Sequence, residues 1–172
     1  MSVNSVKELR EATGCGIMDC KRALAESNGD MNKAKDLLRQ RGLEMAIKKG
    51  GRAANEGRIE AYIHNGNKIG VIVEVNCETD FVGRNDDFMR FTKDIAMHIA
   101  AMAPKYIKKE EIPADILNAV ADQKDFLKAN CLLDQSYVKD PSKSVADLLN
   151  ELVAKIGENI IISRFTRYKI GE

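Results

Sequence analysis

Residues Ile59–Cys77 read IEAYIHNGNKIGVIVEVNC, and their pattern decides the fold. Ile59, Ala61 and Ile63 alternate with Glu60, Tyr62 and His64. Ile69, Val71, Val73 and Val75 repeat the two-residue period, which runs on through Cys77. A period of two puts successive side chains on opposite faces of an extended chain. Between the runs, Asn65-Gly66 marks a reversal, because these residues accept positive φ. The stretch therefore predicts two antiparallel strands. A third strand is expected in NIIISRFTRYKI (159–170), which is rich in β-branched and aromatic residues.

Helical spacing surrounds these strands. Phe88, Phe91, Ile95, Ile99 and Met102 recur on one helical face, and Pro104 follows them. A further helix is expected over about 114–128, then a loop at VKDPSKS (138–144). Ser144 is expected to cap a helix carrying Val145, Leu148, Leu149, Leu152 and Ile156, with Gly157 as its stop. Residues 51–172 thus read as an α+β core, a three-stranded antiparallel sheet with helices packed on one face.

Residues 1–50 read as a separate three-helix bundle. Ser5–Glu8 fits a capping box, and Gly14 ends the first helix. Cys20, Ala23 and Leu24 share one face of a second, which Asn28-Gly29 stops. Asp30 caps a third, with Met31, Ala34, Leu37 and Leu38 at helical spacing and Gly42 as its close. Helices this short need mutual packing to persist. AIKKGGRAANEG (46–57) follows, basic and glycine-rich, and reads as a linker between the two domains.

The composition excludes several classes. The chain has 172 residues, with 27 Lys plus Arg against 26 Asp plus Glu. That balance argues against a strongly basic nucleic-acid binder. No apolar run is long enough to span a bilayer, and the N-terminus is polar, so no membrane or secretory role is expected. Cys15, Cys20, Cys77 and Cys131 are expected to stay reduced in a cytosol. Cys15 and Cys20 lack a matching second pair, so no structural zinc site is expected. There is no phosphate loop and no nucleophile elbow. GCGIMDCK follows no predicted strand, so a dinucleotide site fails. His98, on a helix face, reads as a satisfied, partly buried histidine. Asp86 and Asp87 read as acids favoured by a helix N-terminus.

The strand ending at Cys77 runs into Thr79-Asp80-Phe81-Val82. The pattern leaves two readings open. Phe81 packs under the sheet while Asp80 caps a turn, or the pair projects as an acid–aromatic wedge toward a partner, where an exposed aromatic carries binding energy.

VKELREATGCGIMDCKRALAESNGDMNKA and EVNCETDFV, with DIAMHIAA, DPSKSV and AKIGENI in order, closely resemble the elongation factor Ts family over nearly the whole chain. The resemblance implies a guanine-nucleotide exchange factor for elongation factor Tu, with no cofactor and no covalent chemistry. It implies that the N-terminal bundle is ubiquitin-associated-like and docks on the nucleotide-binding domain of Tu. It implies that Thr79, Asp80, Phe81 and Val82 form a tip that enters that domain and disturbs its magnesium site. Ile156 and Gly157, and in the bundle Lys7, Arg10, Ile17 and Met18, occupy positions that touch Tu in the family. The family's Tyr-x-His-Gly tract has a partial counterpart in Tyr62–Asn65, with Gly66 one place late, which brings in His64. Long members carry two core subdomains and a coiled-coil insertion. One β-β-α core is found here, so a short form is expected, of bacterial type because no transit peptide is evident, and cytoplasmic.

The missing half implies a homodimer, the alternative being a monomer whose helices from Ala114 onward cover the apolar sheet face. Ile59, Ile63, Val71, Val73 and the final strand supply more apolar surface than one helical layer covers. Two other readings stand beside the family one. The bundle is a generic helix- or ubiquitin-type binding module, or the core is a small enzyme using His64 and Asp80.

Overall fold

A computed structural model describes residues 3–172, with side chains from Asn4 onward. The chain divides into two compact units. One comprises residues up to Arg52 together with Asn150–Asn159, and the other Ala53–Leu149 with Ile160–Glu172. The sequence reading placed 150–159 wholly with the core. In the structure the boundary falls inside a helix, between Leu149 and Asn150.

The first unit holds three helices, α1 (Val3–Thr13), α2 (Ile17–Glu26) and α3 (Met31–Lys49). Leu9, Cys20, Ala23, Leu24, Ala34 and Leu38 form its core, with Val6, Met31 and Leu37 packed around them. The chain turns at Gly14 in the left-handed region, φ +69°. After α2, Gly29 donates to Leu24 O at 2.8 Å and Asn28 to Ala25 O at 3.2 Å, a paired closure of the last turn. Asp30 caps α3 by accepting from the amides of Asn32 and Lys33.

Two expectations fail here. Ser5 lies within α1, not ahead of it. Packing of Val6 and Leu9 on the bundle core keeps that turn helical. Gly42 does not close α3, which continues to Lys49. A Cβ on Gly42 would stand 3.2 Å from that of Ala154, so the glycine is there for close approach and not as a stop.

The second unit is built on a sheet of β1 (Glu56–Ile63), β2 (Ile69–Cys77) and β5 (Ile160–Lys169), in the order β1-β2-β5 and antiparallel throughout. His64 O accepts from Asn67 N, and Gly66 sits at φ +86°, as the reversal requires. Val71, Val73, Val75, Cys77, Ile160 and Ile162 are buried. α5 (Asp86–Met102) packs on this side and brings Phe88, Phe91, Ile95 and Ile99 to it.

Pairing defines the other face. Ile59 opposes Glu74, Ala61 opposes Ile72, and Ile63 opposes Gly70. Ile59, Ile63 and Ile72 are all exposed. Val71 and Val73 therefore belong to the buried face, not to the open face proposed from sequence. Glu74 and Arg164 pair across the strands at 2.6 Å on the open side. That guanidinium, first, and Asn76 hold the Glu74 carboxyl below its usual range.

The rest departs from the sequence reading. The helix expected over 114–128 is two, α6 (Ala114–Ala119) and α7 (Gln123–Asn130), and neither buries a residue. Asp122 breaks the run by capping α7, accepting from Asp125 N at 3.0 Å. The loop expected over VKDPSKS contains β4 (Asp140–Ser144), paired with β3 (Ser136–Tyr137). α8 (Val145–Ile156) follows. Ser144 caps it reciprocally: Asp147 N donates to Ser144 Oγ, and Asp147 Oδ2 accepts from Ser144 N.

Candidate functional site

The candidate residues fall into one set in each unit, with His64 apart from both. In the core unit, β2 ends at Cys77, whose thiol donates to Thr79 O at 3.1 Å. Thr79 stands in extended backbone at the entry to α4 (Asp80–Gly83), a single turn. The turn is held from one side only. Val82 and Gly83 are buried. A Cβ on Gly83 would stand 3.1 Å from Gly57 O, and one on Gly57 would stand 2.3 Å from Val75 O. These two glycines let the turn sit against the start of β1. Asn85 then caps α5 through the amides of Asp87 and Phe88.

Phe81 is 80% exposed, the most exposed large apolar side chain among the described residues. It does not pack under the sheet. Asp80 binds the Arg84 guanidinium at 2.8 Å. The tip therefore presents an unpacked aromatic beside a carboxylate on a one-turn helix with a buried root. An aromatic of this size gains apolar burial once a partner encloses it.

His64 lies elsewhere. Tyr62 and His64 share a hydrogen bond, 3.0 Å from hydroxyl to Nδ1. They mark the turn end of the β1–β2 hairpin, whereas Thr79–Val82 follow the opposite end of β2. Nine residues of strand separate the two ends, on the order of 25–30 Å. That spacing removes the reading of His64 and Asp80 as a catalytic pair.

In the N-terminal unit, Lys7 and Arg10 lie three residues apart on α1, both exposed. Ile17 and Met18 open α2 at 55% and 64% exposure. Gly157 ends α8 at φ +83°, and Gly157 N donates to Val153 O. The Lys155 side chain runs past Gly14, within 3.3 Å of where its Cβ would be. The Lys155 side chain thus reaches from the last turn of α8 to the α1–α2 loop that leads to Ile17 and Met18.

Sequence reasoning missed the supports of both sets. Gly57 falls in the stretch that reads as a linker, and nothing in the sequence around Gly83 signals its role. Lys49, which donates to Gly157 O, and Asn159, whose amide donates to Arg52 O at 2.7 Å, were also passed over. An Asn next to a run of isoleucines was the one available signal, since a polar side chain there needs a partner.

His98 is fully buried, with Nε2 to Gln135 Oε1 at 3.0 Å and Nδ1 accepting from Val138 N. Burial pushes the Cys131 thiol up to about 11 and raises that of Cys20. Among the described residues no cluster of His, Cys, Asp and Glu has the arrangement of a metal site.

The family model for elongation factor Ts matches residues 17–123 and 121–172. The chain belongs to the elongation factor Ts family. It is 52% identical to the elongation factor Ts of Caldanaerobacter subterraneus subsp. tengcongensis, with 100% of this chain and 98% of the relative aligned. The protein of the same name from Carboxydothermus hydrogenoformans is 50% identical, over 97% of this chain and 88% of the relative. That from Geobacter sulfurreducens is 49% identical over the same shares. The two matched pieces of the family model overlap at 121–123, where the chain leaves α6 and enters α7. The first alignment runs over 195 positions against 172 residues, so that relative has stretches this chain lacks.

Proposed function

We propose that the protein is a guanine-nucleotide exchange factor for elongation factor Tu, acting in translation elongation. Membership of the elongation factor Ts family supports the role in elongation. The observation that carries the mechanism is Phe81, 80% exposed on a turn whose root is buried. Thr79–Val82 enter the nucleotide-binding domain of Tu and disturb its magnesium site. Lys7, Arg10, Ile17 and Met18, with Ile156 and Gly157, also bind Tu. His64, at the far end of the hairpin, contacts Tu separately.

Exchange of this kind is a coupling of two binding equilibria. The factor weakens the nucleotide, and the nucleotide weakens the factor by the same ratio. A thousandfold effect needs about 4 kcal/mol of coupling. One enclosed aromatic together with lost magnesium contacts is of that order. The protein makes and breaks no covalent bond, the magnesium is Tu's, and no cofactor or nucleic acid is required. Among the described residues no helix is long and apolar enough to cross a membrane, and the site of action is the cytoplasm.

The working form is a homodimer. Ile59, Ile63, Ile72 and Tyr168 lie exposed on the sheet face away from α5. A second copy covers that face across a two-fold axis.

The test is the release of labelled GDP from Tu, followed by stopped flow with and without the protein. Acceleration at substoichiometric amounts is expected. Binding to Tu with no change in release would leave only a docking module.

A further inference from the structure

We propose that Lys49 and Asn159 form a clasp that positions the Ile156–Gly157 turn for its partner, an inference that rests on the exchange-factor reading above. α8 ends where Gly157 takes φ +83°. A cation beside a helix C-terminus is favoured by the helix dipole. Lys49, the last residue of α3, places its ammonium on the carbonyl of Gly157, the residue that follows α8. Two residues later Asn159 is 4% exposed, and its Nδ2 donates to Arg52 O at 2.7 Å.

The segments 49–52 and 157–159 are thus tied at two points. Both ties run from a side chain to a main-chain carbonyl, so each fixes backbone. The Arg52 end is itself fixed, because Arg52 N donates to Lys49 O at 2.9 Å. Ties are needed here because glycine in a bare chain samples more backbone conformations than any other residue. A turn that offers Ile156 to a partner would have to be ordered on binding. The clasp orders it on folding instead, which lowers the cost of association. Lys49 and Asn159 touch the turn and not the reacting nucleotide, so they are positioning residues.

The experiment uses the whole chain and the release of labelled GDP from Tu, titrated with each variant. Lys49→Met is expected to raise the half-saturating concentration roughly tenfold and leave the plateau rate within about twofold. Lys49→Arg should recover most of the loss, since a single carbonyl is served by either cation. In an Ile156→Ala background the further effect of Lys49→Met should shrink to under about twofold, because both changes then act on one element. Thermal midpoints should fall by no more than about 3 °C. An unchanged titration for Lys49→Met, full additivity with Ile156→Ala, or a loss that only follows the unfolded fraction would overturn the clasp. A parent protein that leaves GDP release unchanged overturns the exchange reading itself.

Discussion

Phe81 and His98 show how one residue's surroundings decide its part. Both are ring side chains in a unit built on the same sheet, yet one is 80% exposed and the other 0%. Phe81→Ala should therefore slow stimulated GDP release by about 1–3 kcal/mol of barrier and leave the melting temperature alone. A variant that melts far earlier than the parent would make Phe81 a structural residue. His98 gives the opposite kind of prediction. Burial lowers its imidazole below the usual 6.5, with the Gln135 hydrogen bond opposing. Below about pH 6.5 the unfolded chain binds a proton that the folded one resists. Stability is then intact above that value and falls as the pH drops through the window below it. Melting midpoints measured between about pH 5 and pH 8 should show this slope, and His98→Gln should flatten it. The residue-scale reading from sequence was partial for a plain reason. An aromatic just past a strand end has the same pattern whether it folds in or out, so Phe81 stayed ambiguous. His98 was legible as a satisfied histidine through its place beside Ile99, but not as a fully buried one, because its partners Gln135 and Val138 lie about forty positions away.

At the scale of elements, legibility followed the strength of the local signal. The β1–β2 hairpin was readable because Asn65-Gly66 supplies the reversal and the alternation supplies the strands. β4 was not, because Asp140, Pro141 and Ser142 are poor strand formers. It exists through pairing with Ser136 and Tyr137, and Pro141 lies on its exposed part. Gly42 reads as a stop because glycine is the commonest one, whereas in the structure it admits Ala154. Gly57 and Gly83 belong to the same class, glycines set by a contact distant in sequence. Gly57→Ala should cost at least about 2 kcal/mol, since it combines φ +145° with a Cβ 2.3 Å from Val75 O. Gly51→Ala, where nothing lies within 4 Å, should change stability by less than about 0.5 kcal/mol. Chemical denaturation of the two variants side by side checks this, and equal midpoints would mean that Gly57 is not a forced position.

For the molecule as a whole, the open sheet face raises the question of assembly. Ile59, Ile63, Ile72 and Tyr168 are separated by Glu74–Arg164 and Thr166, so the face is apolar with one charged pair set in it. Sedimentation equilibrium at micromolar concentration should give twice the chain mass, and Ile72→Glu should give a monomer. A clean monomer mass for the parent with full exchange activity would rule the dimer out. The overall class was legible because alternation and helical spacing are local. The division into units was less so, because residues 150–159 join helices about a hundred positions earlier, and spacing within a segment carries no trace of that. The same arrangement has a consequence for the order in which the protein is made. A ribosome releases α1–α3 first, at about 5–20 residues per second, so the Gly42 face and Lys49 wait on the order of ten seconds for Ala154 and Gly157. β2 likewise waits beside β1 for the strand that flanks its other edge. Both units are closed by one late stretch, 150–169, and a nascent chain stalled before it has two unfinished halves for a chaperone to hold.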